Sequence, residues 1–147
     1  MITTTIYHEK NVLHLSFQDD VGLIHFSELE SRLPSIFRCL RPDFTLLTDL
    51  SGVEEIDFAC VNQIAELMER IVEAGVGKVV RVVPDSQKDI GFSILAAFHY
   101  PAFLPVLVYA DHEEAEKFLG VERLVSFGKG KAEILSLNPI QNTALVF

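Results

Sequence analysis

Strand-like and helix-like segments alternate along the middle of this chain, and that alternation most constrains its fold. Residues 44–50 form a continuous apolar run, which is typical of a strand buried on both faces. Residues 79–83 and 105–109 have the same character. Between the first two runs, residues 57–74 carry apolar side chains at helical spacing, and Gly75 follows as a stop signal. This order predicts right-handed βαβ units on a parallel sheet.

The first seventeen residues predict a hairpin. Two β-rich runs, residues 2–7 and 12–17, are separated by a polar four-residue connection that suits an antiparallel turn. Together with the later segments, this predicts an α/β fold with a mixed, mostly parallel sheet of about five strands and about four helices.

Residues 26–40 carry an apolar stripe at helical spacing and predict the first helix. Ser27 and Glu30 have the spacing of a capping box. Pro34 lies inside this pattern, where it removes a backbone donor, so we expect a kink or a helix that begins late.

A third helix is expected to begin at Asp85 or Ser86 and to continue to His99, before Pro101. A short fourth helix follows Asp111 and ends near residue 119. The side of the third helix that faces the core is expected to carry Ile90, Ile94, Leu95 and Phe98.

The length of 147 residues matches the usual size of one domain. We expect one α/β domain over residues 1–120. Residues 121–147 are predicted to be a C-terminal extension, because the regular alternation fades after Gly120. The last five residues are mostly apolar, so this extension is expected to pack on the domain or on a partner subunit.

An excess of acidic residues disfavours negatively charged partners. Twenty-one Asp and Glu against twelve Lys and Arg give a net charge of −9, which opposes binding to nucleic acid or to anionic lipid. No apolar stretch reaches the roughly 18 residues of a membrane span. Cys39 and Cys60 form no CxxC pair, and no secretory signal is visible, so we expect a cytoplasmic protein with reduced thiols.

The sequence contains no motif with the residue spacing typical of catalysis, metal binding or cofactor binding. The five histidines fall in different predicted elements without an HxxxH or HExxH pattern, so we expect neither a metal site nor a cofactor. Cys60 lies at a helix start, where the pKa of a thiol can fall, but a simply buried thiol is the alternative. No general base is identifiable for it, and we expect a protein that is not an enzyme.

Residues 46–57 resemble the central signature of the STAS family, the sulphate-transporter and anti-sigma-factor-antagonist domain. The segment from Asp49 to Val53 has the sequence D-L-S-G-V, and Asp57 then begins a helix, as in that family. The order of elements over residues 7–119 is also similar. The resemblance implies a STAS-like fold and a non-catalytic regulatory module that binds a protein partner.

The helix start departs from the family's phosphorylation switch. Switched members have a D-S-[ST]-G-like sequence there, whereas Phe58 and Ala59 follow the aspartate in this chain. The module is therefore expected to lack the phosphorylatable serine. Phe58 is either an aromatic anchor for the partner or an ordinary packed residue. The residues expected to contact the partner are Ser51, Glu54, Asp57, Phe58, Ala59, Cys60 and Gln63.

The alternative function is binding of a lipid or another small hydrophobic molecule, as in STAS-like proteins whose architecture resembles the CRAL-TRIO lipid carriers. The aromatic residues expected to line such a pocket are Phe26, Phe92, Phe98, Tyr100 and Phe103. An ordinary hydrophobic core is the other interpretation of these residues. A homodimer stays an alternative for the assembly.

Overall fold

A computed structural model describes residues 1–119 and 145–146 of the chain. Within them, strands and helices alternate as the sequence predicts. The strands are β1 (Ile2–Tyr7), β2 (Val12–Val21), β3 (Phe44–Ile56), β4 (Val76–Val82), β5 (Val106–Tyr109) and β6 (Leu145–Val146). The α-helices are α1 (Leu23–Arg38), α2 (Val61–Glu73), α3 (Ser86–His99) and α4 (His112–Leu119), and a 3-10 turn (Phe58–Cys60) precedes α2.

The strands form one mixed sheet in the order β5-β4-β3-β2-β1-β6. β1 and β2 are an antiparallel hairpin, and β2, β3, β4 and β5 pair in parallel. The predicted α/β class, the opening hairpin and the mostly parallel sheet are therefore confirmed. β6 adds a short antiparallel strand beside β1, with Leu145 opposite Thr4 and Val146 opposite Thr3. The rest of the predicted extension, residues 121–144 and 147, lies outside the described residues.

The helices divide between the two faces of the sheet. Alternate strand residues point to opposite faces, so Leu46 packs in the larger core while Leu47 packs in a smaller cluster. The larger core contains side chains of α1, α2 and α3, and the smaller cluster contains Ala115 of α4. We call these the three-helix face and the α4 face. None of the helices in the described part of the chain is long and apolar enough to cross a membrane.

The first helix begins earlier than predicted. α1 starts at Leu23, and its N-cap is Gly22, whose backbone N–H donates to Nδ1 of His25 at 2.9 Å. The expected capping box at Ser27 and the late start at Pro34 are wrong. Pro34 lies inside α1 on the exposed side of the helix, while Leu33 beside it is buried.

β3 is longer than the apolar run that predicted it. The strand continues through the D-L-S-G-V segment to Ile56, beyond residue 50, where the apolar run ends. Two register shifts against β2 accommodate this extension, between Ser16 and Gln18 and between Asp19 and Asp20. Such bulges re-aim side chains at the end of a strand. The lengthened β3 therefore carries its last residues toward the start of α2.

α3 is rotated relative to its predicted orientation. Ile90, Ile94 and Phe98 were expected to face inward, but they are 59%, 54% and 80% exposed, respectively. The inward side instead carries Phe92, which is buried, and Leu95, which is half-buried. The physical reason for this rotation lies in β4, as the next section describes.

Candidate functional site

An apolar groove with a volume of about 330 Å³ lies at the carboxyl end of β3. It is bounded by the last residues of β3, by the start of α2 and by one side of α3. Ligand sites of open parallel sheets commonly lie at this end of the strands. The apolar residues that line it are Leu50, Val53, Ile56, Phe58, Val61, Ile64, Phe92 and Leu95.

The turn between β3 and α2 holds Phe58 out toward solvent. Asp57 caps the 3-10 turn, because its Oδ1 accepts from the backbone N–H of Ala59 at 2.9 Å. The backbone N–H of Asp57 also donates to the carbonyl oxygen of Val21 at 2.9 Å, which ties the turn to β2. Phe58 is 87% exposed at the edge of the groove. Its ring is therefore available for contact rather than buried in the core.

Three carboxylates surround the same opening. Glu54, Glu55 and Asp57 line the groove and are exposed. No lysine or arginine lines it among the described residues. The groove thus combines an apolar floor with a negatively charged rim, in a chain whose net charge is −9.

The seven residues predicted to contact a partner do not form one surface. Glu54, Asp57 and Phe58 line the groove, and Ala59 is exposed next to them. The other three lie apart from its lining. Cys60 is fully buried, Gln63 is half-buried, and Ser51 bonds to side chains on the α4 face.

The five predicted pocket aromatics are likewise dispersed. Phe26 is buried in the core against Phe17, at 6.0 Å between ring centroids. Phe98 and Phe103 are exposed, so they enclose nothing. Tyr100 borders a small cavity of about 20 Å³ beneath α3. Phe92 is the one member that lines the groove.

Arg81 of β4 explains the rotation of α3. Its side chain is buried on the three-helix face, and its Nε donates to Oδ1 of Asp89 at 2.7 Å. The guanidinium lies 5.7 Å from the ring centroid of Phe92. A buried charge needs a partner, so Asp89 and Phe92 must face inward. Burial raises the pKa of Tyr100 to about 12, although the charge of Arg81 opposes that rise.

A second polar cluster, on the α4 face, could not be seen from sequence spacing. Asp49 is fully buried on β3, and its Oδ1 accepts from both the backbone N–H and the hydroxyl of Ser51, at 2.9 and 2.6 Å. His112 of α4 places Nε2 3.1 Å from Ser51 Oγ and 3.1 Å from Asp49 Oδ2. His14 of β2 lies 3.9 Å from Asp49 Oδ2. We call these four residues the Asp49 cluster.

The surroundings of Asp49 in the cluster favour the ionised form of its side chain. Burial by itself would raise the pKa of Asp49, but the contacts with His112 and Ser51 and the charges of both histidines lower it overall. Burial lowers the pKa of His14 to about 4, which outweighs the attraction of Asp49. His14 is therefore neutral at pH 7, with its ring stacked on that of Tyr7 at 6.3 Å.

The geometry of the Asp49 cluster does not activate Ser51. The hydroxyl proton of Ser51 is directed to Asp49 at 2.6 Å, so His112 Nε2 donates to Ser51 Oγ rather than accepting from it. A catalytic triad needs the opposite direction, with the imidazole accepting the serine proton. The arrangement instead links α4 to β3 through His112.

Cys60 is not an activated thiol. Its side chain is buried, and burial, together with the charge of Asp57, raises its pKa. A raised pKa reduces the thiolate fraction at neutral pH, so the helix start does not create a nucleophile here. Both cysteines are free, and among the described residues no group of three or more ligands suited to a metal ion occurs.

Comparison with known proteins identifies the fold. No protein-family model matches the sequence, and no curated protein matches it significantly. An uncharacterised DUF3478-family protein with a SpoIIAA-like fold from Shewanella loihica PV-4 is similar in structure: TM-score 0.62, 11% identity, covering 81% of this chain and 92% of that one. An anti-sigma factor antagonist from Mycobacterium paratuberculosis has a TM-score of 0.50 and 20% identity, covering 82% of this chain and 95% of its own.

These likenesses confirm the STAS-like fold expected from the D-L-S-G-V segment. At 11% and 20% identity they concern the fold alone. What the groove and the Asp49 cluster do in this chain is therefore argued from their own residues.

Proposed function

We propose that this chain is a non-catalytic regulatory module that binds a protein partner through the groove beside Phe58. The observation that carries the proposal is an aromatic ring 87% exposed at the edge of an apolar groove of about 330 Å³. Binding energy at protein interfaces concentrates in aromatic anchors and the apolar pockets that receive their counterparts. The STAS-like fold, shared with an anti-sigma factor antagonist, agrees with such a role.

The acidic rim defines the chemistry of the partner. Glu54, Glu55 and Asp57 favour a segment that places an apolar side chain in the groove and Lys or Arg around it. The net charge of −9 would steer a basic partner toward this chain. The association rate is therefore expected to fall as salt concentration rises.

Control of this binding by phosphate at the helix start is not part of the proposal. Phe58 and Ala59 have no hydroxyl. The nearby hydroxyl of Ser51 is half-buried and is hydrogen-bonded to Asp49 and His112. Because that hydroxyl is not activated and the Cys60 thiol is buried, a non-enzymatic role is proposed. A cytoplasmic location is kept as part of the proposal, in keeping with two free cysteines.

The test places a photo-crosslinking phenylalanine analogue at position 58 in cells of the native organism. A matched control carries the same analogue at Lys10, which is exposed in the β1–β2 turn, at the opposite end of the sheet. A polypeptide crosslinked from position 58 and not from position 10 is the expected result. Changing both Glu54 and Glu55 to Lys should then weaken that crosslink. A yield that is equal at the two positions, or absent at both, contradicts the proposal.

A small hydrophobic ligand is the second candidate, because about 330 Å³ lies at the lower end of the range for ligand pockets. Native mass spectrometry of the purified protein separates the two functions. A bound molecule that is lost in a Val53→Trp variant, which fills the groove, favours the ligand. Mass equal to that of the chain alone, together with the crosslink, favours the partner.

A further inference from the structure

The outward side of α3 is apolar, whereas its inward side carries Asp89 beside Phe92. Ile90, Ile94 and Phe98 recur at every fourth position and are more than half exposed. We call them the α3 stripe. Residues 90–98 contain no charged side chain. Large exposed apolar patches mark interaction sites.

Two charged or titratable groups beside the stripe, Asp89 and His99, are paired within the chain. Asp89 pairs with the buried Arg81 at 2.7 Å. His99 Nδ1 lies 2.9 Å from Glu69 Oε1 on α2. The stripe itself contains no charged residue, so it is a neutral surface on a strongly acidic chain.

We propose that the α3 stripe is an interface between two copies of this chain. At a twofold axis a surface meets itself, so a like-charged patch would repel itself and a neutral apolar one would not. The stripe is uncharged although the chain has a net charge of −9. The same net charge disfavours an anionic membrane surface as the occupant.

Phe98 supplies part of the area that a dimer needs. It is 80% exposed, and an aromatic side chain of this exposure offers about 120–200 Å². A standard interface buries about 800 Å² on each partner, so Phe98 supplies about a fifth of that area before Ile90 and Ile94 are added.

Sedimentation velocity of the full chain tests the proposal, from about 1 µM to about 200 µM. A concentration-dependent dimer is expected. Ile94→Glu should raise its dissociation constant by about 30-fold or more, because it brings two carboxylates together at the centre of the interface. The matched control is Ile24→Glu on α1, which is 65% exposed on a helix separated from α3 by α2, and it should leave the dimer unchanged.

A second variant controls for loss of folding. Phe98→Glu changes a stripe residue that is 80% exposed in the single chain, so it should keep the folded circular dichroism spectrum while abolishing the dimer. Higher salt should strengthen the dimer, since screening reduces repulsion between two acidic copies. Binding of a basic partner in the groove should respond to salt in the opposite direction, which separates the two proposals.

Three outcomes overturn the dimer. One is a single-chain mass at every concentration. Another is an Ile94→Glu variant that loses thermal stability without any change in mass, which means that the chain covers its own stripe. The third is flotation of the monomer with neutral phosphatidylcholine vesicles that Ile94→Glu prevents.

Discussion

The two faces of the sheet bury their residues by different chemistry. On the three-helix face the contacts are mainly apolar, and the one buried guanidinium is paired with Asp89. On the α4 face, the buried Asp49 and His14 lie beside the half-buried Ser51 and His112. Apolar packing is non-directional, so the three-helix face can leave a groove and a stripe open. Polar burial is directional, so the Asp49 cluster holds α4 in one place on β3.

Removal of the Asp49 side chain should cause the largest loss of stability. Asp49→Ala is expected to lower the free energy of unfolding by about 4 kcal/mol, because it leaves buried polar partners unpaired. Urea unfolding followed by circular dichroism measures the change. Asp49→Asn, which keeps an acceptor for Ser51, should lose clearly less. A loss below about 1 kcal/mol for Asp49→Ala would show that the cluster does not hold α4.

The pH dependence of stability should come from the α4 face. The folded pKa of His14 is about 4, below its ordinary 6.5, so the unfolded chain takes up a proton at higher pH than the folded chain. The His14 contribution is complete above pH 6.5 and is lost as pH falls toward about 4, a decrease of about 3 kcal/mol.

His14→Phe is the control for this pH effect. It should flatten the profile between pH 6.5 and about 4, measured by urea unfolding at several pH values. Asp49 acts in the same direction but at lower pH, because its folded pKa lies below 3.8. A wild-type profile that is flat from pH 7 to pH 4.5 would refute the burial of a neutral His14.

Phe92 and Phe58 are expected to differ in how much they contribute to stability. Phe92→Ala should cost about 3 kcal/mol, because the ring packs on Phe17 and on Arg81. Phe58→Ala should cost less than about 0.5 kcal/mol, because its ring is almost fully exposed. Thermal and urea unfolding measure both. Equal losses would mean that Phe58 packs in the core and is not available as an anchor.

The smallest effect is expected at the cap of the turn. Asp57→Ala removes the acceptor for the Ala59 N–H and should lower the free energy of unfolding by about 1 kcal/mol. Asp57→Asn, which keeps a capping oxygen, should retain most of the stability but lose one charge of the groove's rim. A larger loss for Asn than for Ala would contradict the capping role.

Local patterns predicted the order of the elements well. Periodicity predicted the helix over residues 57–74 and the strands around residues 44–50 and 79–83. A segment buried on one face or on both faces has a regular pattern of apolar residues. The STAS-like fold followed from the D-L-S-G-V segment and the order of elements. Element boundaries were less accurate, since bulges extend β3 beyond its apolar run.

The candidate site was only partly predictable. Glu54, Asp57 and Phe58 were expected to contact a partner, and the structure places them along the groove. The Asp49 cluster was missed, because Ser51 and His112 are 61 positions apart and no spacing rule connects them. The isolated polar Asp49 within an otherwise apolar strand was the one available signal, since a buried charge requires partners.

The sequence by itself determined which segments are strands and helices, the sign of the molecular charge and the absence of a hydroxyl at positions 58 and 59. These are properties of neighbouring residues, which short-range periodicity and composition record. Only the tertiary structure decided which side of α3 faces the core and which two histidines lie beside Asp49. Both depend on the interaction between a buried charged group and a partner that is distant in sequence.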